Sequence, residues 1–98
     1  MKSILEINID KDNGGFCASI EWGVNNENMG CTRGDHILDF VKNLGEMLEL
    51  TFEDYDIKDI EIEPIYPDWN KSQVDGYVFL LKQISRLNPW VAKSAGLE

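Results

Sequence analysis

At 98 residues the chain allows one small hydrophobic core, and 43% hydrophobic with 10% aromatic residues excludes a disordered polymer. No apolar run approaches the roughly 18 residues of a membrane helix. "MKSILEINIDKD" turns charged too early for a secretory signal, so a cytoplasmic protein without membrane contact is expected. A formal charge of −9 argues against binding a phosphate backbone over most of the chain and suits a basic protein partner.

In chain order, residues 4–10 alternate, with Leu5, Ile7 and Ile9 on one side and Ile4, Glu6, Asn8 and Asp10 on the other. This is the period of a strand. In "KDNGG", Asn13 and Gly14 accept the positive φ angles of a tight hairpin turn. Phe16, Ala18, Ile20 and Trp22 then alternate with Cys17, Ser19 and Glu21 as the returning strand. "GVNNENMG" has loop composition, and Met29, Cys31 and Arg33 make a short third strand before Gly34.

Asp35 is the expected N-cap of a helix, since its carboxylate accepts from first-turn amides and suits the dipole. Behind it Ile37, Phe40, Val41, Leu44, Met47, Leu48 and Thr51 recur at steps of three and four, one apolar stripe able to cover a sheet. Gly45 interrupts that stripe's helix at a cost of about 1 kcal/mol relative to Ala and reads as a point of close packing. Ile57, Ile60 and Ile62 begin a fourth strand that reaches Ile65 and, after a crossover helix, runs parallel to an earlier one. Pro64 and Pro67 are expected to stop its pairing, and "YPDWNKS" reads as a linker or docking turn. Val74, Tyr77, Val78, Leu81, Ile84 and Leu87 restore the helical period over 72–87. "NPWVAKSAG" opens a third helix with Asn88 as cap and Pro89 in its first position, ending at Gly96.

Charge is unevenly placed. Residues 1–45 carry four bases against seven acids. Residues 46–68 carry nine acids (Glu46, Glu49, Glu53, Asp54, Asp56, Asp59, Glu61, Glu63 and Asp68) against Lys58 alone. Residues 69–98 reverse the sign, with Lys71, Lys82, Arg86 and Lys93 against Asp75 and Glu98. The acidic segment reads either as a solubilising face or as a surface for a cationic partner.

Cys17 and Cys31 are the only cysteines and are expected as thiols, although a disulfide is geometrically allowed if they lie on neighbouring strands. With His36 as the single histidine, the best zinc set is both cysteines, His36 and a carboxylate, too poor a set to expect a metal; no cofactor is implied.

The order β-β-β-α-β, the turn "DNGGF" (Asp12 to Phe16) and "GCTRGDHILDFVKNLGEMLEL" together resemble the N-terminal domain of HicB-type antitoxins, with Gly30, Cys31, Gly34, Asp35, Asn43, Glu46, Leu48 and Leu50 in register. The likeness covers roughly residues 4–65. The chain departs from the family's short PDLPGC-like turn with "GVNNENMGC", from its helix alanines with Phe40 and Leu44, and from its Thr after the cap with His36.

The resemblance implies an α+β, partial ribonuclease-H-like domain: a three-stranded antiparallel meander, a helix, and a fourth strand parallel to the first, followed by two C-terminal helices. It implies a non-enzymatic antitoxin of a type II toxin-antitoxin system that blocks a small basic HicA-like mRNA interferase. Residues 1–66 would be the toxin-neutralising domain, with Glu53, Asp54, Asp56, Asp59, Glu61 and Glu63 facing the toxin. Residues 67–98 would be a linker and the start of a lambda-repressor-type helix-turn-helix, with Lys71, Lys82, Arg86 and Lys93 in the DNA-binding module and Ala92 and Gly96 at its small-residue positions. The recognition helix of such a motif would begin after Glu98, so operator binding and repression of its own operon are expected only with the further C-terminal part restored. An exposed sheet edge in so small a domain implies a homodimer or higher homo-oligomer.

Other readings compete. A metal-dependent nuclease would need Asp10, Glu46 or Glu49, and Asp59 or Glu61 to converge. His36 reads as a capping-region or surface residue rather than a catalytic one. Trp22, Trp69 and Trp90 read as core and docking anchors, with Tyr66 and Trp69 as a candidate partner-binding hot spot. An orphan HicB-like dimeric regulator or scaffold, without a toxin, is the second non-enzymatic reading.

Overall fold

The structure, a computed structural model, describes residues 3–12, 14–22, 28–84 and 86–97. Four strands, β1 (Ser3–Asp12), β2 (Gly15–Trp22), β3 (Asn28–Gly34) and β4 (Ile60–Ile65), form one sheet in the order β3-β2-β1-β4. The meander is antiparallel, with Ile7 opposite Ile20 and Ser19 opposite Cys31. β4 returns parallel to β1, pairing Leu5 with Ile62 and Glu6 with Glu63. This is the expected mixed α+β sheet. Gly14, at φ +85°, supplies the left-handed residue of the hairpin turn; its expected companion, Asn13, lies outside the described residues, as do 23–27 of the predicted loop.

α1 (Ile37–Thr51) lies across the sheet as the crossover between β3 and β4. Its stripe of Phe40, Val41, Leu44 and Leu48 is buried against Ile7, Ile9, Ala18, Ile20, Ile60 and Ile62, while Ile37 and Met47 pack at the margin. The join from β3 is very close: a Cβ on Gly34 would meet the Phe40 backbone nitrogen and lie 2.6 Å from its Cα. Asn43 Nδ2 donates to the Arg33 carbonyl at 2.8 Å, a second tie between helix and strand.

Four local expectations are corrected. The N-cap is His36, in an extended conformation with no side-chain cap bond, and Asp35 is exposed one residue earlier. Backbone packing at Gly34 sets where the helix begins, so the best capping side chain falls outside the cap position. Ile57–Asp59 forms a single 3-10 turn instead of strand, because Asp56 accepts from Lys58 N at 3.2 Å and closes the backbone locally. Pro64 stays inside the ladder opposite Ile7; β4 is an edge strand, where a residue without an N–H is tolerated. The second helix, α2 (Lys71–Lys82), starts from a reciprocal capping box between Asn70 and Gln73 but ends five residues before Leu87. Ile84 and Leu87 keep the helical period in the sequence while packing on the core from a non-helical connection.

α3 (Pro89–Ser94) is built as expected: Asn88 Oδ1 accepts from Trp90 N at 2.8 Å and Pro89 opens the helix. Its end is a Schellman closure, with Gly96 at φ +77°, Gly96 N bonded to Lys93 O and Leu97 N to Ala92 O. α3 packs on α1 and β4. Trp90 stacks on Phe52 with ring centroids 5.0 Å apart, and Lys93 Nζ donates to the Ile57 carbonyl at 2.6 Å. The expected close packing at Gly45 has Asn88 as its partner: a Cβ there would lie 3.0 Å from Asn88 Nδ2, which donates to Glu49 Oε1. Tyr77, Leu81, Trp90, Val91 and Ala95 join the same buried cluster as the sheet residues, so residues 1–66 and 67–98 share one core.

Candidate functional site

With α1 covering one side of the sheet, side chains of opposite parity fall on the other. Glu61 and Glu63 alternate with buried Ile60 and Ile62 and are exposed on this open face. Glu6, the register partner of Glu63, is exposed beside it. Glu21 is also exposed; it follows Ile20, the partner of Ile7, so the antiparallel register carries it to the level of Glu6 on the next strand. Four carboxylates from three strands thus share one end of the open face. Like charges on adjacent strands repel, and a cationic partner relieves that repulsion.

Of the six predicted toxin-facing acids, Glu61 and Glu63 therefore lie on the sheet face. Glu53, Asp54, Asp56 and Asp59 are exposed in the connection from α1 to β4 and lead along the chain into Glu61. Asp56 is engaged locally, capping the 3-10 turn and pairing with Lys58 at 3.6 Å. Glu6 and Glu21 were not among the expected contacts, although the alternation in β1 and β2 puts them on the polar side.

The four basic residues assigned to a DNA-binding module are spread out. Lys71 and Lys82 are exposed at opposite ends of α2, eleven residues and about 17 Å of helix apart. Arg86 is exposed in the connection beyond, and Lys93 is half-buried on the Ile57 carbonyl.

The alternative sites do not assemble. Asp10 lies near the hairpin, where its carboxylate accepts from Lys11 N at 2.8 Å, whereas Asp59 lies just before the opposite end of β4. Glu46 and Glu49 are exposed on α1, and among the described residues no three His, Cys, Asp or Glu side chains converge as metal ligands. His36 is exposed. Cys17 and Cys31 share the open face as diagonal neighbours, since Cys17 pairs with Arg33 and Ser19 with Cys31, and no disulfide joins them.

Of the tryptophans, Trp90 is buried core and Trp69 is half-buried, while the side chain of Trp22 lies outside the described ones. Trp69 belongs to an aromatic cluster at the hairpin end, 5.2 Å from Tyr66 and 5.4 Å from Tyr77 between ring centroids. Burial pushes both phenols above their ordinary value, most strongly the more deeply buried Tyr77, to which the nearby Tyr66 adds a smaller push in the same direction. The hydroxyls of Tyr66 and Tyr77 and the indole N–H of Trp69 have no partner among the described residues.

No described helix is long and apolar enough to cross a membrane. Comparison of the chain with family models, with curated proteins and with solved structures gives no match.

Proposed function

We propose that the chain is a HicB-like antitoxin domain with a degenerate ribonuclease-H-like sheet, which holds a small basic HicA-like toxin against the acidic end of its open face. The observation that carries this reading is the grouping of Glu6, Glu21, Glu61 and Glu63 on one exposed sheet surface. A cluster of one sign at one end of a face speeds encounter with a cationic protein and fixes its orientation. The order β3-β2-β1-β4, with β1 parallel to β4 and a helix behind them, is the order that the resemblance implies and supports the same reading. So do Gly34 and Asn43, two residues carrying the likeness, which hold β3 to α1. Inhibition here is binding alone, without bond-breaking by the chain.

Co-expression tests this. The chain is expected to relieve the toxicity of a small basic protein encoded beside it and to co-purify with that protein. A folded chain that neither rescues growth nor co-purifies would overturn the antitoxin reading and favour the orphan regulator.

A further inference from the structure

At the hairpin end of the sheet, on the side opposite the acidic face, a groove of about 400 Å³ runs between β2 and α2. One wall is aromatic, made by Phe16, Trp69 and Tyr77; along α2, Phe79 and Leu80 stand 61% and 45% exposed. Gly76 completes the α2 side, and a Cβ placed there would meet nothing within 4 Å. A mid-helix glycine costs about 1 kcal/mol relative to Ala, and no contact among the described residues requires it.

The charge lining the groove has one sign. Among its described lining residues Lys11 is the only charged one, with its ammonium 4.9 Å from the centroid of the Trp69 ring. The Trp69 indole N–H and the Tyr77 hydroxyl are buried within the aromatic wall without partners among the described residues, and the Gln73 side chain is the other polar group that lines the groove. An apolar, aromatic-walled concavity of this size with a cationic group against its aromatic wall has the form of a small-ligand site. A second copy of the chain suits it poorly, because it would bring another net charge of −9.

We infer that this groove binds a small aromatic carboxylate, its ring against Phe16 and Trp69 and its carboxylate paired with Lys11. The inference stands apart from the antitoxin reading, since it uses none of the acidic-face residues.

Titration of the whole chain with 1-naphthylacetate, followed by amide and indole N–H resonances, tests it. Saturable shifts are expected at Lys11, Gly76 and the Trp69 indole. The neutral 1-naphthylacetamide should bind about tenfold more weakly, as should the acid to Lys11→Met, the loss of one charge-assisted contact. Lys42→Met, on α1, should leave affinity unchanged. Absence of saturable shifts, equal affinity for acid and amide, or full affinity in Lys11→Met would each overturn the inference. So would concentration-dependent dimerisation abolished by Phe79→Ser, which would make a second copy the occupant.

Discussion

Gly34 ends β3 directly against the backbone of Phe40, so that a Cβ on Gly34 would lie 2.6 Å from the Phe40 Cα. Both neighbours are main chain in packed elements, so no side-chain rotation relieves the overlap. Gly34→Ala is expected to lower stability by about 3 kcal/mol, at the upper end of overpacking costs. Thermal or denaturant unfolding measures this; an unchanged midpoint would contradict the geometry.

Asn88 serves three contacts: it caps α3, fills the space beside Gly45 and bonds Glu49. Asn88→Ala removes the cap and the link to α1 together, and a loss of about 1–2 kcal/mol is expected in denaturant unfolding. Glu49→Gln, which keeps an acceptor oxygen for the Asn88 amide, should cost less.

The buried Tyr77 phenol produces a pH dependence of defined sign. Its folded-state pKa lies above the unfolded value of about 10, because burial and Tyr66 disfavour the phenolate. The folded chain then keeps a proton that the unfolded chain releases, so this contribution is intact below pH ~10 and lost as pH rises above it. Melting temperatures across alkaline pH should fall more steeply for wild type than for Tyr77→Phe. At neutral pH that variant should be no less stable, since it removes a buried hydroxyl without a partner among the described residues. Parallel alkaline slopes would contradict the assignment.

Cys17 and Cys31 sit diagonally across β2 and β3. Diagonal neighbours in an antiparallel pair are about 7–8 Å apart, beyond the reach of an unstrained disulfide. Mild oxidation should therefore produce no intrachain bridge by mass spectrometry of the folded chain. Exposed Cys31 should react with a thiol reagent before half-buried Cys17.

Much of the fold is legible in the residues because local and global signals agree. Period-two alternation, the turn at Gly14 and the helical stripe of Phe40, Val41, Leu44 and Leu48 suffice to arrange a meander, a crossover helix and a parallel fourth strand. The misses have tertiary causes. Asp35 has the better capping chemistry, but the Gly34–Phe40 contact places the helix start at Ile37. Ile84 and Leu87 extend a helical period because both pack on the core, although α2 ends at Lys82 and neither residue is helical. Gly45 reads as a close contact, yet nothing local says that Asn88, far along the chain, provides it. The acidic surface is blurred in the sequence for a related reason: counting charge along the chain singles out 46–68, whereas strand pairing assembles Glu6 and Glu21 with Glu61 and Glu63 and leaves Glu53, Asp54, Asp56 and Asp59 in the connection from α1 and Glu46 and Glu49 on α1 itself.

The central claim is that the open face recognises a cationic protein through its grouped carboxylates. Its most direct test is the affinity of the chain for the neighbouring-gene basic protein, measured against salt for wild type and for the combined Glu6→Gln, Glu61→Gln, Glu63→Gln variant. The account predicts wild-type binding that weakens as salt rises and a variant at least about tenfold weaker with a shallower salt dependence and an undiminished melting temperature. Equal affinity and equal salt dependence in the two proteins would contradict it.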